Sequence, residues 1–175
     1  MAKYYQEIRN IALINAHDTI INNIQRFRKA YKYIIDLSTY AQEEGILFLD
    51  SHMDFVDDDD SMTENLIWMI NMIDSFDPDC IEEIVTNRFI VRDYKGIEAF
   101  IYYVYAIGVM YIQRGVSSVV IEAFFNSFIP KELIPEDSII HIYFDLVKKR
   151  SMQENLKKTV SIRKLLTDEI VSNDL

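Results

Sequence analysis

Only one cysteine, Cys80, is present, and it has no partner to pair with. An intramolecular disulfide is therefore excluded, and such sparing cysteine use fits a reducing compartment, so a cytoplasmic location is expected. Glycine and proline are scarce too, at 4 and 3 of 175 residues. Few turns and long elements follow, which favours helices over many short strands. The three histidines, His17, His52 and His141, lie far apart and in no metal-binding spacing. A Gly-rich phosphate loop and a nucleophile elbow are both missing. His52 stands beside Asp50 and Asp54 as a nominal base with orienting carboxylates, but a solvated histidine near a helix end is the commoner meaning of that pattern. No catalytic residue, metal ligand or cofactor site is nominated, and a non-enzymatic role is expected.

Long uncharged runs are absent as well. The longest, Ala99 to Gln113, has 15 residues and contains four tyrosines, against the roughly 20 apolar residues of a spanning helix. A central buried helix is expected there, with no membrane span. The first residues, Met1 to Glu7, lack the apolar core of a signal peptide.

What is there is a core-forming composition. Half of the chain is hydrophobic and 13% is aromatic, enough for one domain over residues 1–175. The net charge of −10 is unevenly spread: residues 41–98 carry 16 acids against three bases, residues 1–40 carry six bases against three acids, and residues 99–175 balance. An acidic middle opposes nucleic-acid binding, which needs a basic surface. It reads either as a solvated face or as a docking surface for a basic partner.

Along the chain, Ile20, Ile24, Phe27, Tyr31 and Ile34 recur at helical spacing, and nothing interrupts before Gly45. A long helix, broken at most once, is expected from near residue 4 to the low forties, continuing through Leu47 and Leu49. The run Asp57-Asp58-Asp59-Asp60 lacks the alternating ligands, central glycine and distal glutamate of a calcium loop. It suits the start of the next helix instead, with Asp60 or Ser61 as cap and Leu66, Met69, Ile70 and Ile73 on one face. Asp77-Pro78-Asp79 starts another helix, with Cys80 packed in its first turn near Ile81 and Ile84. A helix over about 97–113 ends near Gly115. Ser117 or Ser118 caps the next, which turns Ile121, Phe124, Phe125 and Phe128 inward and closes at Pro130. Pro135 opens a further helix, and a basic amphipathic helix runs from Lys148 to the C-terminus. The expected fold is all-α: a bundle of about six to eight helices with long N-terminal and C-terminal helices.

Three blocks stand in order: Ala41-Gln42-Glu43-Glu44-Gly45-Ile46-Leu47-Phe48-Leu49-Asp50; Asp74 to Asp79 followed by Ile81-Glu82-Glu83-Ile84-Val85; and Gly108 to Gly115 followed by Ile121-Glu122 and Ser127-Phe128-Ile129-Pro130. Together they resemble the cytoplasmic parts of the MotA-type A-subunit of the flagellar stator, over roughly residues 35–133. The family's membrane helices are missing from the corresponding places. About a dozen residues, Arg88 to Ala99, join the second and third blocks where the family has two of them. Without those helices no ion path can form, and what the resemblance implies is the cytoplasmic bundle, which in the family contacts the rotor through charged residues. An Arg of the family's first motif is replaced by Gln42, while the acidic position is kept as Asp50.

The resemblance thus implies a protein-interaction domain binding a flagellar rotor or stator component, with motility as the setting. The expected partner-binding residues are Gln42, Glu43, Glu44, Asp50, Asp57, Asp58, Asp59 and Asp60. Two other classes stay open: an unrelated helical adaptor or self-associating scaffold, including a homodimer, and a small-molecule domain with a pocket under Tyr102, Tyr103, Tyr105 and Tyr111.

Overall fold

The computed structural model describes residues 3–14, 16–49, 51, 53, 60–127 and 129. Among them are seven α-helices and no strand: α1 (Lys3–Leu13), α2 (Ala16–Asn22), α3 (Ile24–Glu44), α4 (Thr63–Ile70), α5 (Pro78–Arg92), α6 (Gly96–Gln113) and α7 (Ser118–Asn126). The protein is an all-α bundle, as its composition demands. The chain divides into two compact units, Met1–Ile134 and Pro135–Leu175. All described residues belong to the first, so the expected helices after Pro135, together with Phe128 and Pro130, lie outside the described residues.

The long N-terminal helix is interrupted twice rather than at most once. The second break has a local cause: Asn23 closes a tight turn onto the Ile20 carbonyl at 3.0 Å, and its side-chain amide donates to the Thr19 carbonyl at 2.9 Å. Such short-range side-chain bonding competes with helix continuation. The expected continuation through Leu47 and Leu49 is also corrected. At Gly45 the chain takes φ 95°, ψ 159°, a conformation open essentially to glycine alone, and a 3-10 turn follows over Ile46–Phe48.

The center is α6, whose residues Ala99 to Met110 are all buried. It has the length and apolarity of a weak membrane-span candidate, but 72% of it is buried inside the bundle, as suits a core helix. Against it α3 runs parallel. The Phe27 and Phe100 rings meet at 5.8 Å, and further along Gly108 faces Ile34 so closely that a Cβ there would sit 2.3 Å from Ile34 Cγ2. The glycine of the third block is therefore what lets the two helices touch. Helix α5 runs antiparallel to α6: the Tyr102 hydroxyl donates to the Val85 carbonyl at 2.8 Å, while Arg114 lies beside Asp79 and Glu82. Phe89, Tyr94 and Tyr102 stack at 5.1–6.1 Å.

Helix α4 is tied down at its start. The Arg26 guanidinium donates twice to the Asp60 carboxylate, at 2.7 and 2.9 Å. Asp60 in turn accepts from the Met62 amide at 3.0 Å, but α4 begins at Thr63 with Met62 in the capping position and no side-chain capping bond, so neither Asp60 nor Ser61 caps it as expected. Asp77 caps α5 as expected, accepting from the amides of Asp79 and Cys80 at 3.0 Å. Ser117 precedes α7 without a side-chain capping bond. Ile121 and Phe125 are buried as expected, and Phe124 is half-buried.

Candidate functional site

Helix α4 runs parallel to α6, since Asn65 near its start accepts from the Tyr94 hydroxyl just before α6 and the turn after it is bonded to Gln113 at the end of α6; with α3 parallel and α5 antiparallel, three helix C-termini and one N-terminus come to the same end of the bundle. Parts of the three sequence blocks meet there: the Ile46–Leu47 turn of the first, the Asp74–Asp79 stretch of the second and Gln113–Arg114 of the third. Ile46 and Leu47 of the first block face Ile70, Asn71, Ile73 and Asp74 across an open cleft of about 210 Å³. Gln113 of the third block donates through Nε2 to the Ile73 and Phe76 carbonyls at 2.8 and 2.6 Å, clamping the turn between α4 and α5. Its neighbor Arg114 reaches toward Asp79 at 3.9 Å and Glu82 at 4.0 Å. At these lengths, and with Asp79 solvated, the contacts contribute little.

This end is acidic. Glu43, Glu44, Asp74, Asp77, Asp79 and Glu83 are exposed there, and Arg114 stands among them. The C-terminal ends of α3, α4 and α6 add partial negative charge to the same region. Glu82 differs from its neighbors: it is 4% exposed, and its Oε1, like Gln113 Oε1, has no hydrogen-bond partner among the described residues.

The predicted docking residues are not all brought together. Gln42, Glu43 and Glu44 are exposed at the end of α3. Asp60 is half-buried and bonded to Arg26 near the start of α3. At 1.5 Å per helical residue, the separation of Arg26 from Glu43 is about 26 Å. Asp60 thus belongs to the opposite end and is spent on the fold. Arg26, first of all, holds its carboxyl below the ordinary carboxylate value, with the Met62 amide adding to the effect. Asp50, Asp57, Asp58 and Asp59 lie outside the described residues. What the sequence reading missed is that Asp74, Asp77, Asp79 and Glu83, taken there as helix-start residues or passed over, complete the acidic end. The antiparallel turn between α4 and α5 is what delivers them.

Cys80 is exposed rather than packed. The adjacent Asp77 carboxylate pushes its thiol above the ordinary value, and Glu83 and Asp79 add to the effect. These carboxylates override the helix N-terminus, which on its own would favor the thiolate. His17 is exposed beside Asp18, while His52 and His141 lie outside the described residues. Among the described residues no group of three or more His, Cys, Asp or Glu is placed to hold a metal ion.

The tyrosines of α6 are core side chains. Tyr102, Tyr103 and Tyr105 are at most 2% exposed, and burial raises all three hydroxyls, Tyr103 to about 12. Tyr111 packs edge-on against Phe124 at 5.2 Å. Glu122 of the third block is likewise internal, accepting from the Tyr31 hydroxyl at 3.0 Å, with Asn126 Oδ1 at 3.1 Å from the same hydroxyl. One hydroxyl proton cannot serve both acceptors. With the Asn126 amide turned, its otherwise unpartnered Nδ2 donates to the Tyr31 oxygen, and the proton goes to Glu122.

Comparison with protein families, curated proteins and solved structures finds no match. The fold defines the class, an all-α bundle with one acidic end.

Proposed function

We propose that this chain is a non-enzymatic protein-interaction domain that docks a partner on its acidic end. Following the stator-like blocks, the partner proposed is a cytoplasmic rotor or stator component of the flagellar motor. The observation that carries this reading is the convergence of the blocks: Glu43 and Glu44 from the first, and Asp74, Asp77 and Asp79 from the second, are exposed on one end, which the third block braces through Gln113. Clustered charge of one sign steers a complementary partner and fixes its orientation. The test is a calorimetric titration with the purified rotor switch protein at low and at physiological salt. Saturable binding, weakened by salt and by Glu43→Lys with Glu44→Lys, is expected. Absence of heat at high concentration contradicts that partner.

The second reading, a self-associating helical scaffold, draws on a different observation. Ile11 and Ile21 on the N-terminal helices are 43% and 46% exposed, Ile14 in the turn after α1 is 64% exposed, and Ile90 and Val91 on α5 are 53% and 82% exposed. Apolar exposure of that extent fits contact with a second copy. Light scattering across a concentration series decides it: a dimer that Ile14→Asp dissolves supports the scaffold, and a monomer throughout rejects it.

A further inference from the structure

We infer that Trp68 and Arg88 form a second docking site, one that receives a carboxylate side chain of a partner protein. It lies away from the acidic end and does not depend on what that end binds.

The arginine is held from two directions. Its guanidinium carbon lies 4.1 Å from the centroid of the Trp68 ring, within cation–π range. Its Nε donates to Asn65 Oδ1 at 3.0 Å. Asn65 is 2% exposed and accepts from the Tyr94 hydroxyl through the same oxygen at 3.2 Å, so this anchor is itself fixed. Stacking and the Nε bond leave both Nη groups with all their N–H donors. Neither Nη has an acceptor among the described residues, and the Trp68 indole N–H has none either. Both side chains are half-buried, and none of these nitrogens is sealed from solvent. The stack thus presents donors and no acceptor.

Charge placement is the second argument. Residues 41–98 carry 16 acids, and their three bases are Arg88, Arg92 and Lys95. Lys95 pairs with Asp93 at 2.7 Å. Arg88 and Arg92 enter no ion pair among the described residues, for all the acid in that stretch. Arg92 follows Arg88 by one turn of α5, and Val91 beside them is 82% exposed. Residues at i, i+3 and i+4 share a helix face. Tryptophan and arginine are the residues on which interfaces most depend, and an arginine already fixed in place loses less freedom on binding.

Geometry and charge select the anion. The edge of a guanidinium matches a planar carboxylate through two parallel hydrogen bonds. A phosphate carries more charge, and Glu64, exposed one turn before Trp68 on α4, and exposed Asp93 repel it more strongly. Nucleic acid is disfavored for the same reason. The donors lie on a helix face beside an exposed valine, which suits a protein segment bearing aspartate or glutamate next to an apolar residue.

Trp68 is the chain's one tryptophan, so its emission reads the site directly. The test is to follow that emission while titrating the full chain with a capped peptide that alternates glutamate and leucine, at low and at physiological salt. A saturable, salt-sensitive change is expected, with affinity lowered about tenfold or more in Arg88→Gln and less in Arg92→Gln. Quenching of the unliganded chain needs no variant: at matched ionic strength iodide should quench Trp68 more than cesium does, although the chain carries a net charge of −10. An equal response to the same peptide with glutamine for glutamate would overturn the carboxylate assignment, as would an equal response to inorganic phosphate or to phosphatidylglycerol vesicles. Emission that changes with protein concentration alone would assign the carboxylate to a second copy and overturn the separate partner. No saturable change, or stronger quenching by cesium, would overturn the site itself.

Discussion

Helix α6 passes through two regions governed by opposite demands. In its middle, Phe100, Tyr102, Ile107 and Val109 are at most 1% exposed, α3 approaches within van der Waals contact at Gly108, and even the Tyr102 hydroxyl finds a carbonyl. At its C-terminal end, Gln113 and Arg114 enter a region of exposed carboxylates, and buried acceptors on Gln113 and Glu82 lack partners among the described residues. The middle is governed by close packing. The end concentrates like charge and exposed apolar surface, which raises the energy of the isolated domain and which the proposed docking would relieve. Departures from local consistency of this kind gather where a protein acts.

Breaking the packed region should cost the most. Phe27→Ala removes a fully buried ring lying against Tyr31 and Phe100; a loss of about 3–5 kcal/mol is expected from chemical denaturation. Next comes overfilling: Gly108→Val drives a Cβ into Ile34 and should cost about 1–3 kcal/mol. Trimming Ile34 to Ala in the same chain should recover part of that loss in a double-mutant cycle, since the two positions touch.

The tie between Asp60 and Arg26 is smaller in effect but has a pH signature. Because the folded carboxyl lies below its ordinary value of 3.8, its contribution is present above that pH. It is lost as pH falls through 3.8 toward the lower folded value. Urea midpoints measured from pH 6 down to pH 3 should decline in wild type, and Asp60→Asn should flatten part of that decline.

At the acidic end, stability should hardly respond. E43K/E44K is expected to change it by about 0.5 kcal/mol or less, measured by the same denaturation, while weakening salt-sensitive binding. The gentlest probe is chemical. Asp77 suppresses the Cys80 thiolate, so Asp77→Asn should speed alkylation of Cys80 by iodoacetamide at mildly alkaline pH.

Much of the scaffold is legible from the chain alone. The Asp77-Pro78 start, the α6 core helix and the all-α class follow from caps, glycine scarcity and apolar spacing, which act over a few residues. Breaks in the N-terminal helix are less legible, because the Asn23 amide competes with its own backbone in a way that periodicity does not register. The acidic end is half legible. Glu43 and Glu44 are marked by their motif, whereas Asp60 shares with them only the density of acids in that stretch. In the fold a whole helix separates them, and Asp74 and Asp79 arrive from across the α4–α5 turn. Which charges share a surface is decided by helix direction, and that is a property of the packing rather than of local sequence.

The most direct measurement of the central claim is a nitrogen-15 amide NMR titration of the full chain with a short synthetic peptide bearing one leucine between lysines and arginines. The account predicts salt-sensitive, saturable shifts gathered on residues 42–48 and 71–79, with the amides around Phe27, Phe100 and Gly108 unmoved. Shifts centered on Ile11, Ile14, Ile21, Ile90 and Val91, or none at all, would contradict it.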